Sequence, residues 1–172
     1  MPAVLHTGAQ GKNLQSLVNL IANSSAFQLR REVIYDLDAL PHIYYPWLKR
    51  FDAENDLLEG KLPWAVIEVP DGSFKWSGPS NALYPSGQFN LVLADVDRFP
   101  GDQQAGYTDF LNFADGVVAD VAEKSDTDDN ICITSIVQVN APGISDEKEW
   151  GAVRPFWLTR YEIMWNAIGG EG

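Results

Sequence analysis

The order of apolar segments along the chain predicts helices first, then strands, one long helix and a closing pair of strands. Apolar residues spaced i, i+3, i+4 and i+7 predict a first helix, with Asn13 as its N-terminal cap. A second helical stretch is predicted over residues 26–40 and ends at Pro41. The clearest helix is predicted over residues 107–124, where phenylalanine, alanine and valine form one apolar stripe.

Strands are predicted where β-branched and aromatic residues cluster or where apolar residues alternate. They cover residues 42–45, 64–69, 74–76, 88–97, 131–139 and 156–165. The turn sequence Pro70-Asp71-Gly72 predicts a hairpin in which residues 74–76 fold back on the preceding strand. Connectors are expected in the segments rich in breakers or charge, residues 49–61, 77–87 and 141–153.

Side-chain alternation in the three longest strands indicates which faces they bury. Residues 88–97 are apolar on both faces, which is typical of a central strand. One face of the next strand is expected to carry Ile131, Ile133, Val137 and Val139. In the last strand one face is expected to carry Trp157, Tyr161, Ile163 and Trp165, and the other Arg160 and Glu162.

These elements predict an α+β fold in which a mainly antiparallel sheet of about four to six strands packs against one long amphipathic helix and an N-terminal helix. The chain has 172 residues, 45% of them hydrophobic, which suits one domain with a sizeable core. We expect residues 13–166 to form this single domain. Residues 1–12 are predicted to be a flexible arm, and residues 167–172 a disordered tail.

The charge balance narrows the classes of partner. Twelve basic against 24 acidic residues give a net charge of −12, which repels phosphate backbones and anionic membranes. The sequence has no signal-peptide pattern and no apolar run near the ~20 residues that span a bilayer, so a cytoplasmic location is expected. The single cysteine, Cys132, excludes an intrachain disulfide and lies in an apolar run typical of a buried, inert thiol.

Acidic residues are the first candidates for chemistry. Asp126, Asp128 and Asn130 match the opening of a calcium loop, but that loop needs Gly and Glu where this chain has Ile131 and Val137. A solvated turn is therefore the favoured interpretation of this segment.

Asp95, Asp97 and Asp102 could act as paired carboxylates in acid–base hydrolysis, with the first two expected on one strand face. Carboxylates at a strand end before a Pro-Gly turn are more commonly just hydrated. His6 and His42 lack the spacing of a metal pair or a triad. We therefore predict no catalytic residue, no metal site and no cofactor, and expect that the protein is not an enzyme.

Three tryptophans, Trp47, Trp76 and Trp150, are predicted to lie in or near loops. An exposed indole ring there could stack on a sugar or anchor a protein partner. The favoured interpretation is that each ring covers the rim of its own core, and partner binding is the alternative. Contact with a protein is favoured over contact with a sugar.

With its segments in this order, the chain resembles the bacteriophage tail terminator and tail-completion proteins and their prophage relatives. The resemblance covers roughly residues 13–166 and consists of segment order with weakly matching positions. It includes the helix LQSLVNLIA from residue 14, the SAF step from residue 25, the strands PWAVI from residue 63 and GQFNLV from residue 87, the helix segment FLNF from residue 110, and the two closing strands.

The resemblance implies a structural minor tail protein that assembles into a homo-oligomeric ring at the end of the tail tube or at the head–tail junction. Other tail or neck proteins would be its partners, and its final location would be the virion tail. No catalytic residue is implied. A different class remains open, a small acidic binding module that uses loop tryptophans for a carbohydrate or a peptide.

Overall fold

The computed structural model describes residues 8–30, 42–44, 63–79, 82–145 and 155–167. This part of the chain contains the helices α1 (Ala9–Ala22), α2 (Ser25–Leu29) and α3 (Gln103–Ser125). Its strands are β1 (His42–Tyr44), β2 (Trp64–Glu68), β3 (Lys75–Ser77), β4 (Tyr84–Val96), β5 (Ile131–Ser145) and β6 (Phe156–Ala167). The predicted α+β class is confirmed.

The strands form one six-stranded sheet in the order β1-β2-β4-β6-β5, with β3 also paired to β4. All pairs are antiparallel except β1 and β2, which are parallel. Strand β4 has the central place that its apolar faces predict, because Leu91 and Leu93 are buried on one side and Val92 and Ala94 on the other. A continuous apolar run thus becomes a strand flanked on both edges and covered on both faces.

The helices cover one face of the sheet. The buried stripe of α3 consists of Phe110, Phe113, Ala114, Val117 and Val121. It packs in one cluster with α1, with Phe27 of α2, and with every second residue of β4 and β6. In β6 the alternation is as predicted, because Trp157, Tyr161, Ile163 and Trp165 are buried while Arg160 and Glu162 are only partly covered.

Helix α1 begins earlier than the sequence predicts. It starts at Ala9 with Gly8 as its N-cap, so residues 9–12 are helical and do not belong to an arm. Asn13 is not the cap; it is buried inside the helix, where its side-chain amide donates to the carbonyl of Ala9 at 2.7 Å. Of the predicted second helix, α2 is seen, and residues 31–41 lie outside the described part.

The predicted hairpin between residues 64–69 and 74–76 is wrong. Strands β2 and β3 run in the same direction along one edge of β4, where β2 pairs with Asn90–Ala94 and β3 with Tyr84–Ser86. Gly72 adopts a φ of 71°, and the Ser73 hydroxyl lies 2.7 Å from the carbonyl oxygen of Pro70 and 3.3 Å from that of Gln88. The turn therefore bulges away and returns the chain to the same edge.

Two predicted connectors are partly strand. Strand β4 begins at Tyr84, inside the breaker-rich segment 77–87, and β5 continues to Ser145, inside the segment 141–153. Strand β6 ends at Ala167, one residue into the predicted tail. Pairing with long neighbouring strands supplies the hydrogen bonds that local sequence does not predict.

Strand β5 does not keep one face throughout. Between Ile133 and Ser135 it advances two residues while β6 advances one, so Thr134 forms a bulge. After it, Ile136 takes the core side and Val137 points away, with 50% of its surface exposed. The prediction that Val137 and Val139 share a face with Ile131 and Ile133 is therefore wrong.

A flat aromatic contact fixes β6 against β4. The Trp165 ring stacks on Phe89, with centroids 5.4 Å apart and planes 17° apart, and lies directly over Gly87. A Cβ atom at Gly87 would be 2.8 Å from Cζ2 of Trp165. Only glycine leaves room for the indole at this point of the strand.

The helices are joined by a carboxylate. Oδ2 of Asp120 on α3 accepts hydrogen bonds from the Ser24 hydroxyl at 2.7 Å and from the Ala26 N–H at 3.0 Å. Burial raises the pKa of Asp120, but these hydrogen bonds and the charge of Lys124 outweigh it, so the pKa lies below its ordinary value. The ionised form of Asp120 therefore stabilises the junction between α2 and α3.

We expect Gly87→Ala to destabilise the fold by about 1–3 kcal/mol, because the added methyl group must displace the buried Trp165 ring. Denaturant unfolding followed by tryptophan fluorescence measures the change. Gly143→Ala in β5 is the matched control, since no atom lies within 4 Å of its added Cβ. Equal stability of the two variants would contradict the close contact at Gly87.

We expect Asp120→Asn to lower stability at neutral pH, with a smaller difference from the parent protein in acid. The folded-state pKa of Asp120 is lowered, so its contribution is present above the ordinary value of 3.8 and is lost as pH falls through the folded pKa. Unfolding free energies measured from neutral to acidic pH test this. Glu123→Gln, at an exposed position of the same helix, serves as the control. A stability gap between Asp120→Asn and the parent protein that does not change with pH would contradict the assignment.

Candidate functional site

The acidic residues at the end of β4 belong to a buried ion-pair network. Asp95 is fully buried, and its Oδ2 lies 2.6 Å from Nε of Arg30, which is itself 7% exposed. The other guanidinium nitrogens of Arg30 donate to both oxygens of Asp109 at 3.1 and 2.7 Å. Nη1 of Arg98 donates to Asp109 at 2.9 Å, and the Arg30 guanidinium lies over the Phe113 ring.

The opposite charges of this network stabilise one another and hold the fold together. Burial by itself would lower the pKa of Arg30, but the carboxylates of Asp95 and Asp109 outweigh burial and hold that pKa above its ordinary value. Among the described residues, the network contains two guanidinium and two carboxylate groups, which carry equal and opposite charge. The network joins the end of α2 to β4 and α3, so it fixes the helix layer on the sheet.

The three carboxylates considered for hydrolysis are not brought together as a catalytic pair. Asp95 is bound to Arg30, while Asp97 lies beyond the strand end and accepts the Phe99 N–H at 3.1 Å. Asp102 is the N-cap of α3 and accepts from the N–H of Ala105 at 3.0 Å. Each of the three therefore has a role in holding the backbone or the layers.

The acidic loop before β5 is a turn. Oδ1 of Asp128 accepts the N–H groups of Asn130 at 2.8 Å and Ile131 at 2.9 Å and so leads the chain into the strand. Within the described residues there is no group of three or more His, Cys, Asp or Glu placed to hold a metal ion. His6 lies outside that part, and His42 belongs to β1.

The single cysteine is exposed. Cys132 lies on the edge strand β5, so the expectation of a buried thiol is wrong.

One of the three candidate tryptophans lies in the described part. Trp76 is on β3 with 55% of its surface exposed, and its ring meets Phe74 edge-on at 6.1 Å. Leu83 and Tyr84, at the start of β4, are exposed to a similar degree. Trp47 and Trp150 lie outside the described residues. The exposed aromatic group is thus at the end of the sheet where β3 and β4 meet.

An uncharged strand at the edge of the described sheet is a further candidate surface. Strand β5 is last in the sheet order, and its 15 residues include no charged side chain, although 21% of the whole chain is charged. Its exposed apolar residues are Val137, Val139 and Ile144. Edge strands commonly carry charges that hinder pairing with other chains, and β5 lacks this protection.

This surface is not among the sequence-based predictions, although one signal for it is present. Residues 131–145 contain no charged residue, and that is visible in the sequence. The exposure of Val137 depends on the bulge at Thr134, which has no local signature. The position of β5 at the edge depends on long-range pairing, which alternation does not reveal.

We expect Arg30→Met to destabilise the protein by about 3 kcal/mol or more, because it removes the guanidinium that faces a fully buried carboxylate. Arg160→Met is the matched control. Its partner Glu68 is 3.4 Å away and both side chains are partly exposed, so a loss below about 1 kcal/mol is expected. Chemical denaturation compares the two variants. A smaller loss at Arg30 than at Arg160 would contradict the central role of the network.

Among the described residues, no helix combines the length and the hydropathy that a membrane-spanning segment requires. Comparison with known proteins yields no match to this chain, either among models of protein families or among curated proteins. The surfaces and side chains described above are therefore the basis for assigning a function.

Proposed function

We propose that this chain is a structural subunit of a phage or prophage tail, similar to a tail terminator, that forms a homo-oligomeric ring at the tube end or the head–tail junction. The observation that supports this most is the edge strand β5, which is long and uncharged and carries the exposed apolar residues Val137, Val139 and Ile144. In this role the protein makes and breaks no covalent bond.

Charge explains why copies would meet at such a strand. Two copies that each carry a net charge of −12 repel one another over most of their surfaces. Contact is least opposed where the surface has no acidic side chain, and β5 provides 15 residues of that kind. Its outward backbone N–H and carbonyl groups can continue a sheet into a neighbouring chain.

A rigid subunit also suits a ring. The Arg30 network and the Asp120 junction fix the helices on the sheet, so the edges are presented at a constant angle. Other tail or neck proteins would contact the faces of the ring. Acidic side chains around a central hole would let DNA pass without binding it, because like charges repel. The subunit would be cytoplasmic until it joins the virion tail.

A small binding module for a carbohydrate or peptide is the second candidate. The exposure of Trp76 favours it, because an indole on the surface can stack on a sugar or fill a pocket of a partner. Quenching of tryptophan fluorescence by added sugars, lost in a Trp76→Ala variant, would support this second function.

We expect the native protein to form oligomers whose mass rises with concentration toward a closed ring, as measured by size-exclusion chromatography with light scattering. Val137→Lys adds a charge to the exposed part of β5 and should shift the population toward the monomer by roughly tenfold or more, since a charged side chain on an edge strand opposes pairing with another chain. Leu29→Lys, at an exposed residue of α2, is the matched control and should leave the mass unchanged.

A monomer at every concentration would contradict the proposal. An oligomer that Val137→Lys and Leu29→Lys disturb equally would show that β5 is not the contact. Neighbouring genes give an independent check, because genes for tube, tape-measure or head-completion proteins are expected beside this one.

A further inference from the structure

The sheet has a second edge at the same end as the start of β5. Strand β1 pairs with residues 64–66 of β2 and does not extend to β3, which has only β4 as its partner in the described sheet. Across this end the order is therefore β3-β4-β6-β5. One side ends at the three residues of β3, and the other at β5.

The directions of these four strands alternate. Strand β3 is antiparallel to β4, β4 to β6, and β6 to β5, so β3 and β5 run in opposite directions. If neighbouring copies are related by a rotation about an axis roughly parallel to the strands, each strand keeps its direction from one copy to the next. In that arrangement β5 of one copy meets β3 of the next in the antiparallel sense, as in the rest of the sheet.

We propose that subunits join by antiparallel pairing of β5 with β3 of the next copy, so that one sheet continues from subunit to subunit around the ring. The proposal rests on the proposed function and names the two surfaces that it requires. Because the two edges differ, the contact is head-to-tail, which produces a ring when the rotation between copies closes and does not produce isolated two-fold dimers.

The side chains on the two edges match in character. Trp76 lies opposite Pro85, on the same face of the sheet as Phe74 and the buried Trp165. On β5 this face carries the half-buried Ile133 and Ile136, which are packed against the core. Joining the edges would cover the exposed indole with aliphatic side chains, and so would remove apolar surface from water.

The opposite face is equally compatible. There β3 presents Ser77 and β5 presents Ser135, both small, uncharged and exposed. Lys75 is the one charged residue of β3, and β5 has none, so no like charges meet across the contact. Three residues make a short pairing, and ring closure would strengthen it because each subunit then has two contacts.

Cysteine cross-linking tests which edges meet. In a Cys132→Ser background, Ser77→Cys and Ser135→Cys are made separately and together, and a short bismaleimide is added to the oligomer. The expected result is a ladder of covalent dimers, trimers and larger species for the double variant, up to the ring, and uncross-linked subunits for each single variant. The control combines Ser135→Cys with Ala122→Cys, an exposed helix position, and should give no ladder.

The remaining outcomes overturn the inference. Dimers from Ser135→Cys alone would show that two β5 edges meet. A protein with the mass of an oligomer but no ladder in the double variant would leave the proposed function intact and exclude this pair of edges. A monomeric mass at every concentration would contradict both the proposed function and the pairing of β5 with β3.

Discussion

The arrangement of the layers depends on the neutralisation of one buried charge. Asp95 places a carboxylate at zero exposure in the central strand, where an uncompensated charge would be very costly. Arg30 meets it from the end of α2, and Asp109 of α3 holds the other side of the same guanidinium. The short helix α2 is itself tied to α3 through Ser24 and Asp120. Sheet, short helix and long helix thus share one set of polar contacts, and moving any of them breaks a buried pair.

These polar contacts are concentrated on the side of the sheet that the helices cover, so this side differs in character from the sheet edges. The core, the ion pairs and the stacked Trp165 hold that side together, while six of the ten exposed large apolar side chains in the described part lie on β3, on β5 and at the start of β4. A subunit of an assembly needs this division, because a rigid body defines the angle between neighbours and its edges supply the contacts.

The elements that sequence alone predicts are those defined by local periodicity. The stripe of α3 and the alternation of β6 are sufficient to identify each element and its buried face. The α+β class follows from their order. The wrong predictions fall where the structure of a segment is determined by pairing with a residue far away in the sequence. The hairpin at Gly72 was predicted from a turn that instead returns β3 to β4, and the facing of Val137 was reversed by a bulge that exists only in register with β6. Arg30 and Asp95 are 65 residues apart, so neither residue indicates the other. The sequence predicts Trp76 as an exposed candidate, whereas it does not predict that the uncharged strand β5 lies at the sheet edge.

The irregular register of β5 affects what kind of polymer the chain can form. The strand slips against β6 at three places and contains Pro142, so it cannot offer a straight, unbroken row of backbone groups to unlimited numbers of strands. Bulges also increase the local twist and bend the sheet. An edge shaped in this way hinders flat stacking, and so opposes the growth of an uncharged, β-branched strand into amyloid-like fibres.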